Sequence, residues 1–333
     1  MPKFNPLKDI PSLSGKVAIV TGGNRGMGFH LTQQLANHGA KVYLAARSED
    51  SAQTAISRIE SENPTLQGQN RIVFLQLDLG TLDGARRAAE QYLTRESRVD
   101  ILIHNAALMS HGYEKTADGV EDCFAVNHLA PFVFTQGLLP LLISTSKEPD
   151  SDVRVVTIAS AVHSFAPSGG KFLTLEEIND PLGPVDSPNG IKSRYARYAR
   201  SKLANILFVK ELQKHLDDAS SPAVSTSVDP GGVATDTVLT AQNNVPLVGP
   251  LLRFAISKLA RSPLDGAATA LFAATSPDVA RRRVEFKGAF VSDFGAIGQA
   301  SKDGENLALA GKLWAATAEM SAKILSDGSG SLS

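Results

Sequence analysis

Tyr198 and Lys202 stand four residues apart in Tyr198-Ala199-Arg200-Ser201-Lys202, a spacing that none of the other tyrosines shares. On a helix, side chains at i and i+4 lie on one face, so the ammonium can sit beside the phenol. A nearby cation favours phenolate and lowers a phenol pKa that starts near ~10, which suits tyrosine to acid–base work. A second group of residues is suited to anions. Thr21-Gly22-Gly23-Asn24-Arg25-Gly26-Met27-Gly28 joins an apolar run to a helical one. The G-x-x-x-G-x-G spacing allows a tight strand-to-helix turn and lets backbone N–H groups approach a pyrophosphate at the helix N-terminus. Gly22, Asn24, Arg25, Gly26, Met27 and Gly28 are therefore expected to bind a dinucleotide.

Which dinucleotide is decided at the end of the next strand. NAD calls for an acid there, to accept hydrogen bonds from the ribose 2′-hydroxyl, whereas NADP calls for a cation facing the 2′-phosphate. Ala45-Ala46-Arg47 occupies that place, and Arg25 projects from the glycine turn. Two guanidiniums suit a phosphate dianion, so the expected cofactor is NADP(H). Glu49 and Asp50 follow closely and are assigned to the positive start of the following helix.

These groups need a frame that holds them together. Apolar runs at 17–20, 41–45, 72–77, 101–104, 153–158, 223–228 and 289–291 read as strands, mostly continuous, as strands covered on both faces should be. Helical stretches fall near 27–38, 81–96, 117–143, 195–216 and 265–275. This alternation predicts an α/β fold, a Rossmann-type doubly wound parallel sheet of about seven strands in a single domain over residues 1–333. Residues 1–15 form a lead. Two irregular segments, 161–194 and 232–262, interrupt the pattern.

Composition excludes other classes. With 33 basic against 34 acidic side chains the net charge is -1, so no general affinity for nucleic acid or anionic membrane is expected. The single Cys123 cannot form an intramolecular disulfide, and no Cys/His spacing suggests a metal site, which fits a reducing compartment. The N-terminal MPKFNPLKDIPSLSGK lacks an apolar secretory core. The most apolar stretch, Leu129 to Ile143, holds Pro131 and Pro140 and reads as a buried helix, not a membrane span. A cytoplasmic protein is expected.

Thr21–Gly28, Tyr198 with Lys202, and Asp229-Pro230-Gly231 after a late strand together resemble the short-chain dehydrogenase/reductase family, over roughly residues 15–300. The resemblance implies Ser160, ending the fifth strand, as the serine that bonds the substrate oxygen. It implies Asn127, in Val126-Asn127-His128, as the asparagine that holds a water linking Lys202 to solvent. Lys202 would tune Tyr198 and bind the nicotinamide ribose. Asp78 and Leu79 would meet the adenine, Asn105 and Ala106 would flank the cofactor, and Pro230, Gly231, Val233 and Thr235 would follow it beyond the late strand. His104 and Ala107 depart from the family's Asn-Asn-Ala-Gly stretch, on what is expected to be the cofactor wall. The phrases Asn127-His128-Leu129 and Ser201-Lys202-Leu203-Ala204-Asn205 are similar to the branch of retinol dehydrogenases and WW-domain oxidoreductases, and to fungal reductases of secondary metabolism. The family also implies dimers or tetramers through the helices at 117–143 and 195–216.

The activity implied is NADPH-dependent reduction of a ketone or aldehyde, or the reverse. The alternatives are an idle dinucleotide-binding regulator, which would need only the glycine turn, and an epimerase or dehydratase on the same fold. In a doubly wound sheet ligands bind beyond the carboxyl ends of the strands, so the 161–194 insertion after Ser160 is placed near the reacting carbonyl. The 232–262 segment, with Val245, Leu247, Leu251, Phe254 and Ile256, reads as a greasy substrate lid suited to a lipophilic compound. Arg197 and Arg200 fall outside the sector of Tyr198 and Lys202 and read as a solvated helix face, as do Arg281, Arg282 and Arg283. His163 reads as a loop histidine without a role, in preference to a substrate contact.

Overall fold

All seven apolar runs form strands: β1 Val17–Thr21, β2 Lys41–Ala46, β3 Ile72–Gln76, β4 Ile101–His104, β5 Arg154–Ile158, β6 Val224–Val228 and β7 Phe290–Ser292. The computed structural model describes residues 4–109, 112–183, 188–232, 261–293 and 295–329. Val233, Thr235 and the expected lid, apart from its two ends, lie outside them. The strands make one sheet in the order β3-β2-β1-β4-β5-β6-β7, extended by a short eighth strand, β8 Ala296–Gly298, antiparallel to β7. The other pairings are parallel. Because β1 lies between β2 and β4, the chain reverses direction across the sheet there. The carboxyl ends of β1 and β4 therefore open the crevice in which such sheets bind ligands.

Alternate residues of each strand feed two cores, which explains why the runs are apolar throughout. Ile19, Tyr43, Leu102 and Val155 face helices α3 Leu82–Leu93, α4 Asp122–Ser146 and α5 Ile191–Asp218. Ala18, Val42, Ile103 and Val156 face α1 Gly26–Asn37, α2 Glu49–Glu62 and α6 Pro263–Thr275. The lead joins the second core through Phe4, Ile10 and Leu13, with Phe4 edge-on to Phe272 at 5.5 Å. Helix α2 is expected only through its acidic start at Glu49 and Asp50, and a final helix, α7 Leu307–Ser329, is absent from the expected elements. Trp314 of α7 stacks on Phe208 and His215 and meets Phe132 edge-on. His128 also bonds Thr317 at 3.0 Å. The chain thus lays its own last helix on faces of α4 and α5.

Helix α4 is apolar and long enough to cross a bilayer by composition, yet its Phe132, Phe134, Leu138 and Leu142 are buried in the core. Its first turns widen into a π-turn over Ala125–Leu129. Pro131 has no N–H, so the ordinary helical donor to the Asn127 carbonyl is missing and the turn loosens there.

Two buried histidines give the fold an acid limit. His104 bonds Thr135 at 2.8 Å, and burial pushes its pKa down to about 4. Burial pushes His128 to about 3. Both titrate below the ordinary value, so the unfolded chain binds two more protons just below pH ~6.5 and stability falls as pH falls. Glu121, which burial raises to about 7, acts with the opposite sign over much of this window. Across these three groups the net difference is about one proton. Stability is expected to drop by about 1.4 kcal/mol per pH unit between about pH 6.5 and 4.5, read from urea midpoints. His104→Leu should flatten that slope.

Candidate active site

The glycine turn sits at the end of β1. Gly22 and Gly26 adopt positive φ of 64° and 54°, and a Cβ on Gly28 would lie 2.0 Å from the Gly22 carbonyl oxygen, so only glycine closes the turn. Thr21 Oγ1 accepts the Asn105 and Ala106 N–H groups at 3.0 Å each, and Asn105 Nδ2 donates to Thr21 O at 2.9 Å. These bonds fasten the end of β1 to that of β4. Beyond them opens a cleft of about 880 Å³. Gly22, Asn24, Arg25, Gly26, Met27, Arg47, Asp78, Leu79, Asn105, Ala106, Ser160, Tyr198, Lys202, Pro230 and Gly231 all line it. Gly28 lies just beneath.

At one end, Arg25 and Arg47 are exposed, and among the described residues neither forms an ion pair. Ser48 caps α2 by accepting from Ser51 N–H, with Glu49 and Asp50 in the first turn as expected. Ser48 and Ser51 line the cleft beside Arg47, and Asn24 Nδ2 donates to Ser51 Oγ at 3.1 Å. Spacing alone did not single these serines out; their place one and four residues after Arg47 is the signal that could have.

At the other end stand the residues expected to do chemistry. Ser160 follows β5 with its Oγ accepting from Val162 N–H at 3.3 Å, which leaves the hydroxyl proton free to donate. Tyr198 and Lys202 share a face of α5, with Lys202 Nζ 5.4 Å from the phenol ring centroid. Lys202 is buried, donates to Ile158 O at 2.7 Å, and burial lowers its pKa to about 8. The expected lowering of Tyr198 is not found: desolvation by the cleft walls pushes the phenol above its ordinary value.

Asn127 is placed beside the site, but its side chain is committed elsewhere. Nδ2 donates to Leu108 O and to Ser201 Oγ at 2.9 Å each, and Oδ1 accepts from Leu108 N–H at 2.6 Å. Ser201 in turn donates to Tyr198 O at 2.8 Å. The side chain thus couples the π-turn of α4 to the turn of α5 that carries Tyr198. His104 does not flank the cleft as expected; it points into the core against Phe134 and Phe208, whereas Ala107 does line the cleft.

The arginines of α5 overturn another expectation. Arg197 and Arg200 are buried, not solvated. Arg197 donates to the carbonyls of Pro181, Pro188 and Gly112, and Arg200 to those of Glu177 and Ile178. Both face the buried carboxylate of Glu121, at 3.3 and 3.6 Å. An irregular Gly/Pro-rich segment leaves carbonyls without ladder partners, and the guanidinium forks supply them. Of the insertion's described residues only Val162 lines the cleft, with Tyr195 just beyond its end. Arg281, Arg282 and Arg283 do form surface ion pairs, with Asp278, Glu285 and Asp152.

The sequence profile described as short chain dehydrogenase matches residues 16–170. A short-chain dehydrogenase/reductase of Colletotrichum higginsianum is 41% identical over 93% of this chain and 75% of its own length. The chain belongs to the short-chain dehydrogenase/reductase family. A second member, from Armillaria gallica, is 37% identical over 92% of each chain. Among solved structures, an uncharacterised protein from Mycobacterium paratuberculosis superposes with a TM-score of 0.68 at 27% identity, covering 96% of this chain and 97% of its own. A short-chain dehydrogenase from Shigella flexneri, complexed with NADP, shares the fold with a TM-score of 0.61 at 21% identity, over 86% of this chain and 99% of its own. In this short-chain dehydrogenase/reductase the narrower likeness to retinol dehydrogenases rests only on the short segments quoted above.

Proposed function

We propose that the protein is an NADPH-dependent reductase of a ketone or aldehyde group on a lipophilic small molecule, or runs the reverse oxidation. The meeting of Ser160, Tyr198 and Lys202 with the glycine turn in one cleft carries this reading. The turn fits a dinucleotide: a Cβ added to Gly26 would meet nothing within 4 Å, which leaves room for a pyrophosphate against the N-terminus of α1. Arg25, Arg47, Ser48 and Ser51 would hold the 2′-phosphate, and among the described residues no carboxylate lines the cleft at the end of β2. NADPH, when bound, supplies the hydride.

The chain's own residues manage the proton. Tyr198 holds it at the phenol oxygen, where the raised pKa keeps it in place until the carbonyl oxygen gains charge. The Ser160 hydroxyl donates to the same oxygen. The Lys202 ammonium, held by Ile158 O, stabilises the phenolate that remains. Around them, Leu108, Met109, Val126, Ala159 and Val162 present an apolar wall. Among the described lining residues, charges other than Lys202 lie with Arg25, Arg47 and Asp78 at the dinucleotide end, which favours a neutral lipophilic substrate. The fungal sources of the relatives agree with a place in secondary metabolism, and the buried free Cys123 agrees with a reducing cytoplasm.

A panel of aldehydes, ketones and alcohols followed by nicotinamide absorbance, with NADPH and NADH in parallel, tests the reading. Turnover with NADPH is expected; a wholly inert panel counts against it. Arg47→Asp should shift preference towards NADH by about tenfold or more, since a charge-assisted hydrogen bond contributes roughly 1.5–3 kcal/mol. An unchanged ratio removes Arg47 from cofactor choice.

A further inference from the structure

His163 is a buried titratable group to which the mechanism above gives no role. It lies in the single helical turn Ala161–Phe165 that begins directly after Ser160. Its Nδ1 is 2.7 Å from the Ser160 carbonyl oxygen, which also accepts the His163 backbone N–H at 3.0 Å. Its Nε2 lies 2.9 Å from the backbone N–H of Ser301. A carbonyl only accepts and an amide N–H only donates, so the ring must carry its proton on Nδ1. The ring also packs edge-on against Phe290 at 5.2 Å.

The loop on the far side of the ring is itself anchored. Ala300 N–H donates to Glu305 at 2.8 Å, and Glu305 pairs with Lys210 of α5 at 2.8 Å. Asp303 accepts Gly169 N–H at 2.8 Å. The path from Ser160 through His163 and the 300–305 loop therefore ends on the helix that carries Tyr198 and Lys202.

We propose that His163 is a positioning residue that holds the Ser160 carbonyl, and with it the turn presenting the Ser160 hydroxyl, in a fixed relation to α5. The inference rests on the role assigned to Ser160. A strand residue and a helix residue must meet one substrate oxygen, and a small misplacement of either is costly. His163 supplies the cross-link between their two supports.

The test uses the full chain with NADPH and 9,10-phenanthrenequinone as a reducible probe. His163→Phe keeps the ring volume but removes both hydrogen bonds; His163→Asn keeps a donor towards Ser160. The Phe variant is expected to lower kcat about tenfold with KM and the NADPH Kd within about twofold, and the Asn variant to recover much of the loss. If His163 acts through Ser160, Ser160→Ala/His163→Phe is no slower than Ser160→Ala alone. Multiplied losses in the double variant, or a Phe variant as fast as wild type, overturn the proposal. A Ser160→Ala variant as fast as wild type instead overturns the role of Ser160. Nitrogen NMR of the ring decides the brace without any substrate: the Nδ1–H form is expected, and an Nε2–H form overturns it.

Discussion

Tyr198→Phe is expected to lower kcat by roughly 10²–10⁴-fold while NADPH binding, read by nicotinamide fluorescence, stays at the wild-type level. The substitution removes one oxygen and keeps the ring. Among the described residues of the cleft near Ser160, Lys202 is bound to Ile158 O and Ser160 has an alcohol's acidity, which leaves the phenols of Tyr198 and Tyr195, and it is the Tyr198 ring that Lys202 Nζ approaches at 5.4 Å. Loss of turnover with cofactor binding intact separates the proton donor from the cradle. A variant within about tenfold of wild type would show that the proton comes from elsewhere. The raised phenol gives the reaction a direction in pH as well. Reduction needs Tyr198 protonated and should run undiminished through neutral pH, whereas oxidation needs phenolate and should quicken as pH rises.

Arg197→Ala is expected to destabilise the protein by roughly 3–5 kcal/mol in urea unfolding, because breaking a buried pair leaves the remaining charges uncompensated. Three carbonyls, from Pro181, Pro188 and Gly112, lose their donor, and the buried Glu121 loses one of its two facing guanidiniums. Arg281→Ala, on an exposed ion pair, serves as the control and should change stability by less than about 1 kcal/mol. Equal effects at the two positions would return Arg197 to the solvated face that its helical sector first suggested.

That contrast shows where sequence reading stops. Tyr198 and Lys202 were legible from their spacing and Ser160 from the resemblance that puts a serine at the end of the fifth strand, and all three line one cleft. The seven strands were legible because burial on both faces makes them apolar throughout. Of helix α2 only the acidic start was legible, because its buried stripe is only Ala52, Ala55, Ile56 and Ile59 among polar residues. Strand β8 has three residues, partly or fully exposed. Arg197 and Arg200 were misread because their partners are carbonyls of an irregular segment, and no pattern of side chains along a helix records those. Asn127 was singled out by resemblance, but its bonds to Leu108 and Ser201 arise only when three distant segments meet.

The final helix changes what a shortened chain would be. Trp314 is covered by, and covers, Phe132, Phe208 and His215. Ending the chain before Leu307 would turn that aromatic seam outward, beside the helix that carries Tyr198. Such a truncation should bring self-adhesion and precipitation before it brings any change in chemistry. The same seam bears on assembly: a second copy approaching α4 and α5 over Phe132 and Phe208 would find its seat already taken, so pairing there would first require α7 to leave.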